Sequence, residues 1–144
     1  MQRRTFLQKT TLAAGAAALA APALANPTAK NKFKLKYAPH FGMFTNHAGK
    51  DPIDELKYMA DLGFTALEDN GMPGRTPELQ SKIGETLTKL GMQMGVFVLN
   101  KGGNGANTLA AGKKENIDIF LKGCREAVEI ARRCNAKFTT VVPG

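Results

Sequence analysis

Apolar positions along this chain switch between two periods. Ile53, Leu56, Met59 and Ala60 recur at helical spacing, as do Leu79, Ile83, Leu87 and Leu90. Ile117, Phe120, Leu121, Cys124, Val128 and Ala131 do so a third time, so each set paints one apolar stripe on a helix. Between the sets lie runs of strand character: Leu35 to His40, Phe64 to Glu68, Met94 to Leu99, and one beginning at about Lys137. The Met94 to Leu99 run is almost continuously apolar, as suits a parallel strand covered on both faces. The pattern predicts β-α-β-α-β-α-β.

Local chemistry marks the helix ends. Asp51-Pro52 and Thr76-Pro77 each pair an N-capping oxygen with a proline at the first helical position. Gly63 and Gly91 supply left-handed stops, and Asn135 caps a third helix that runs from about Lys113.

Parallel strands joined by helical crossovers are right-handed in nearly all proteins. Strands added in sequential order then put all three helices on one side of the sheet. A doubly wound sheet avoids the uncovered face by reversing strand order, and a barrel by closing on itself, which takes eight units and about 250 residues. The predicted fold class is therefore α/β: half of a (β/α)8 TIM barrel, with four parallel strands and three crossover helices over residues 33–144. Such a half leaves an apolar face and two strand edges open. The chain is expected to lack a C-terminal half, or to complete its barrel by self-association.

The N-terminus changes the picture of the mature protein. Arg3-Arg4-Thr5-Phe6-Leu7 is followed by an uncharged Ala/Leu-rich run from Thr10 to Ala21 and then by Ala23-Leu24-Ala25. That is the layout of a twin-arginine (Tat-type) signal peptide, residues 1–25, cut between Ala25 and Asn26. The apolar run is shorter than the roughly 20 residues of a membrane span, so no stable span is expected. A polar linker, residues 26–32, follows. The expected location is the periplasm or beyond, reached by the twin-arginine route.

Removing the signal takes away Arg3, Arg4 and Lys9 and no acid, which lowers the formal net charge from +8 to +5. Only Lys30, Lys32, Lys34 and Lys36 cluster, without the interleaved aromatics that stack on bases. Nucleic acid is excluded as a partner. Cys124 and Cys134 lie ten residues apart on one helix, roughly 15 Å along its axis at 1.5 Å per residue. A disulfide reaches about 7 Å at most, so these two should not pair even in an oxidising compartment.

In a barrel of this type, functional side chains sit where strands end and βα loops begin. His40, Glu68 and Asn100 occupy three such ends, above Ala38, Ala66 and Val98 on the same strand faces. They are the candidate substrate-binding residues, although Glu68 serves equally well as a carboxylate capping its loop. Asp69, Asn70 and His47, just beyond on the loops, are weaker candidates. The loop Lys101-Gly102-Gly103-Asn104-Gly105 lacks the G-K-[ST] ending of a phosphate cradle and reads as a flexible loop or lid. No Cys/His metal spacing and no Ser-His-Asp set is visible, so no catalytic residue and no metal ligand is assigned in this half.

Three stretches together resemble the xylose-isomerase-like TIM barrel family, and within it the hydroxypyruvate isomerases. They are the opening Tyr37-Ala38-Pro39-His40, the Gly63-Phe64-Thr65-Ala66-Leu67-Glu68 strand, and the third unit from Gly112-Lys113-Lys114-Glu115 to Ala136-Lys137. The resemblance covers about residues 33–144. It implies aldehyde–ketone isomerisation of a small hydroxy-carbonyl or sugar substrate through an enediol. In such enzymes a carboxylate takes the proton and a divalent metal, Mg or Mn, stabilises the charge. The family's metal ligands and two catalytic glutamates come from later strands, so no tight metal binding is expected of this chain. Glu68 then corresponds to the barrel-mouth acid of the second strand and His40 to a substrate-side residue of the first. The alternatives are a ketose 3-epimerase or dehydratase of the same family, or a non-catalytic carbohydrate-binding or oligomerising half-barrel module.

Overall fold

The computed structural model describes residues 33–103 and 108–142. The expected signal (1–25), the linker (26–32), and Asn104 and Gly105 of the glycine-rich loop lie outside the described residues. Among the described residues the helices are α1 (Thr45–Ala48), α2 (Pro52–Asp61), α3 (Pro77–Leu90) and α4 (Lys114–Cys134). The strands are β1 (Ala66–Leu67) and β2 (Gln93–Met94), and 3-10 turns lie at Met72–Gly74 and Leu109–Ala111.

The long helices begin and end where their caps predict. The Asp51 carboxylate accepts the Ile53 N–H at 2.7 Å, and the Thr76 hydroxyl accepts the Leu79 N–H at 3.3 Å. Each satisfies a donor that the first helical turn leaves without an intrahelical partner. Gly91 ends α3 at φ 66° and Asn135 ends α4 at φ 55°, both left-handed. Asn135 is the one described non-glycine residue there, and asparagine tolerates that region best among residues with a Cβ. Helix α1 is an addition that the periodicity did not predict.

The sheet is more modest than the pattern suggests. β1 and β2 pair in parallel, Ala66 opposite Gln93 and Leu67 opposite Met94. Beyond this ladder, Val98 and Thr140 form an isolated parallel bridge, and Glu68 donates its N–H to the Pro39 carbonyl at 3.1 Å. The expected first strand, Leu35 to His40, and fourth strand, from about Lys137, are thus extended segments joined to their neighbours by a few hydrogen bonds rather than a ladder. Pro39 has no N–H to return to a ladder, which cuts the pairing at the first segment. Leu35 and Tyr37 stay 64% and 52% exposed. The observed architecture is mixed helix and strand around a two-stranded parallel sheet.

The core lies between that sheet and the helices. Leu56 and Met59 of α2, Ile83 and Leu87 of α3, and Leu67 and Phe97 are buried together. Each contributes about 1.5–3 kcal/mol relative to exposure. Helix α4 keeps part of its predicted stripe inward, Phe120, Cys124 and Ala131 packing half-buried against the core, but its most buried face is shifted from it. Ile117, Leu121 and Val128 remain exposed, while Gly123, Ala127, Ile130 and Cys134 are buried. Close approach decides this. A Cβ on Gly123 would collide with the Asn100 carbonyl, and one on Gly84 of α3 with Arg133 and Cys134 of α4. The glycines let the two backbones meet there, and Ile117, Ile119, Leu121 and Val128 are left turned outward.

Both cysteines are free, as their spacing requires. Among the described residues, no helix is long and apolar enough to cross a membrane.

Candidate functional site

The segments ending at His40, Glu68 and Asn100 run on into loops, and those loops are anchored by buried polar side chains. After His40 the chain turns through Phe41 and Gly42 toward α1. The turn is held by Glu55, a buried residue of α2. Its carboxylate accepts the Gly42 N–H at 2.9 Å to each oxygen and the Phe44 N–H at 2.8 Å. His40 itself donates its N–H to the Met43 sulfur at 3.3 Å.

The loop after β1 is held the same way. Asp69 is 5% exposed; its Oδ1 accepts the Gly71 N–H and its Oδ2 the Arg75 Nε–H. The Arg75 guanidinium lies 4.7 Å over the Phe41 ring, a cation–π contact that joins the first two loops. Gln80, buried on α3, donates to the carbonyls of Met72 and Arg75 at 3.0 Å each and accepts from Arg133 of α4 at 2.9 Å. One side chain thereby fixes a loop and two helices.

On this frame His40 and Glu68 come together. His40 Nε2 is 3.9 Å from Glu68 Oε1, with side chains 46% and 32% exposed. Asn70 and Asn100 meet across an open hollow of about 430 Å³ between the loops after β1 and β2, which Val98, Lys101 and Gly103 also line. The Asn100 Oδ1 accepts the Gly102 N–H at 3.1 Å. The other two candidates serve the frame. Asp69 is spent on Gly71 and Arg75, and His47 of α1 stacks on Tyr58 of α2, ring centroids 5.7 Å apart and 14° from parallel.

Lys101 departs from the flexible-loop reading. It is 1% exposed, and its ammonium donates to the Gly103 carbonyl at 2.5 Å and the Thr108 hydroxyl at 2.7 Å. The Asn116 amide donates to the Thr108 carbonyl at 3.0 Å and ties this loop to α4.

Glu55, Arg75 and Gln80 were not singled out from the sequence, and Lys101 was named only as part of its glycine-rich loop. Glu55 stands four residues before Met59, and Gln80 three before Ile83 and four before Gly84, so both border apolar stripes. A polar residue at such a border was the signal available for two of them. Arg75 lies in a loop and carries none, and for Lys101 the sequence offers only the glycine-rich loop it opens.

Chemically, a histidine and a carboxylate at 3.9 Å can engage two neighbouring oxygens of one small molecule, the histidine donating and the carboxylate accepting. A divalent metal asks for more. Among the described residues, no group of three or more His, Cys, Asp or Glu side chains could hold one. The residues present do not fit such a cofactor, and no step is derived through it. Comparison of the chain with family models, curated proteins and solved structures gives no match.

Proposed function

We propose that the chain is the N-terminal half of a (β/α)8 barrel of the xylose-isomerase-like family, exported by the twin-arginine route. In this reading it acts on a small hydroxy-carbonyl compound in the manner of a hydroxypyruvate isomerase. One observation carries it: the His40–Glu68 pair, two proton-handling side chains 3.9 Å apart at the ends of neighbouring extended segments. The resemblance of the strands that end in these two residues to the first and second strands of the family supports it.

Moving a carbonyl to the next carbon requires a proton to leave the hydroxyl-bearing carbon and an enediol oxygen to bear the developing charge. His40 donates a hydrogen bond to the carbonyl oxygen, and Glu68 accepts one from the adjacent hydroxyl. Together they select a substrate with oxygens on neighbouring carbons. The carboxylate that takes the carbon-bound proton belongs, in the family, to a later strand, so the role assigned to this chain is substrate binding.

The test is a titration with hydroxypyruvate, followed by NMR of the His40 ring. Saturable shifts are expected, and Glu68→Gln and His40→Asn should each weaken binding about tenfold, the value of one lost charged hydrogen bond. Unchanged His40 resonances with hydroxypyruvate and with a ketose sugar would overturn the proposal.

A further inference from the structure

A buried ammonium among neutral acceptors is the least explained group in this molecule. Lysine is almost never fully buried unless a counter-charge accompanies it, because removing the cation from water costs several kcal/mol. Lys101 is 1% exposed, yet its two acceptors, the Gly103 carbonyl and the Thr108 hydroxyl, are both neutral. Among the described residues no carboxylate forms an ion pair with it. An ammonium carries three N–H donors, so one has no acceptor among the described residues. Tying Gly103 to Thr108 requires only a neutral donor, and a cation does it at a needless desolvation cost.

Lys101 lines the hollow that Asn70 and Asn100 share. Asn100 gives its carbonyl oxygen to the Gly102 N–H, which fixes the amide orientation and leaves its NH2 as a donor. Asn70 is exposed on the opposite loop. The wall of the hollow therefore offers one cation and two side-chain amides, and among the residues that line it there is no acid. About 430 Å³ falls within the range of small-molecule sites.

We infer that this hollow is an anion-binding site in which Lys101 supplies the charge and Asn70 and Asn100 the flanking hydrogen bonds. Its ligand carries a carboxylate or a phosphate group, whose charge compensates the buried ammonium. Charge-assisted bonds of this kind are about twice as strong as neutral ones. The inference stands on Lys101 and its hollow, independently of what His40 and Glu68 do.

The test is a pair of NMR titrations of the full chain at fixed ionic strength, one with inorganic phosphate and one with glycolate. The backbone amides of Asn100, Gly102 and Gly103 report the site. Saturable shifts with phosphate alone identify a phosphate ligand and with glycolate alone a carboxylate ligand; saturation with both identifies a general anion site. All three support the inference. Lys101→Gln keeps a donor for Gly103 and Thr108 but removes the charge, and it should weaken binding at least tenfold while leaving the amide spectrum of α4 in place. Thr108→Val removes one neutral acceptor and keeps the charge, so binding should persist. Non-saturating shifts with both anions, or Lys101→Gln binding as tightly as the parent, would overturn the inference. Attraction to the general positive charge of the chain gives that non-saturating result.

Discussion

The carboxylate of Glu55 accepts the backbone N–H of Phe44 at 2.8 Å, across eleven residues of sequence. Its two oxygens also hold the Gly42 N–H, so α2 grips the turn that leads away from His40. Glu55→Ala strands both donors at a half-buried position and should cost about 2–4 kcal/mol, the range for losing hydrogen bonds to a charged group. Glu55→Gln keeps one accepting oxygen and should cost about half as much. Urea midpoints measure both. An alanine variant that unfolds at the parental midpoint would mean that the turn holds itself.

Helix α3 meets α4 at Gly84, where a Cβ would stand 2.8 Å from the Cys134 Cα. The obstruction is backbone, which cannot rotate aside. Gly84→Ala should therefore destabilise by about 1–3 kcal/mol, although alanine favours helices over glycine by up to about 1 kcal/mol. Gly74→Ala makes the control, because nothing lies within 4 Å of a Cβ there. Thermal unfolding should separate the two; equal melting temperatures would contradict the close approach.

Burial pushes the Cys134 thiol above the ordinary thiol range, against the smaller lowering effect of nearby backbone N–H groups. The folded chain then holds that proton more tightly than the unfolded chain. Stability is complete below the unfolded thiol's value, about 8.5, and falls as pH rises through it toward the folded value. Denaturation at pH 7 and pH 9.5 should show this fall, with a shallower slope in Cys134→Ala. Thiol reagents should modify the half-buried Cys124 first and Cys134 at the rate of opening. Two equal rates, both fast, would exclude a closed α3–α4 contact.

The proposed export is tested at Arg3 and Arg4, which precede the apolar run from Thr10 to Ala21. A periplasmic product should begin at Asn26. Replacing both arginines by lysine should retain the full-length precursor in the cytoplasm, since the twin-arginine receptor reads that pair. Processing unaffected by the double substitution would redirect the reading to another route.

Several site features were legible in the sequence and several were not. His40 and Glu68 end adjacent strand-like runs, and strand alternation with parallel crossovers brings such ends together; 3.9 Å is the outcome. Asn100 ends the third run and lines one hollow with Asn70 of the loop after β1. Asp69 looked like a site residue because it follows Glu68, but Arg75 claims it, and an ion pair six residues apart across a 3-10 turn has no periodic signature. Lys101 sits among glycines and reads as solvated. Its burial follows from the loop folding back so that Thr108 accepts its ammonium.

The sequence by itself determined the three long helices and their ends, because capping and backbone conformation are settled within a few residues. Asp51, Thr76, Gly91 and Asn135 act on neighbours two to four positions away. It also determined the parallel order of β1 and β2, through the helix that separates them. Only the tertiary structure decided which face of α4 is buried. Hydrophobic spacing named Ile117, Phe120, Leu121, Cys124, Val128 and Ala131; Phe120, Cys124 and Ala131 pack half-buried, while the close approach of the Asn100 carbonyl at Gly123 centres the buried face on Gly123, Ala127, Ile130 and Cys134. It likewise decided the burial of Glu55, Gln80 and Lys101. Whether a polar side chain is desolvated depends on what the fold sets against it, and those partners lie from two to fifty-three residues away.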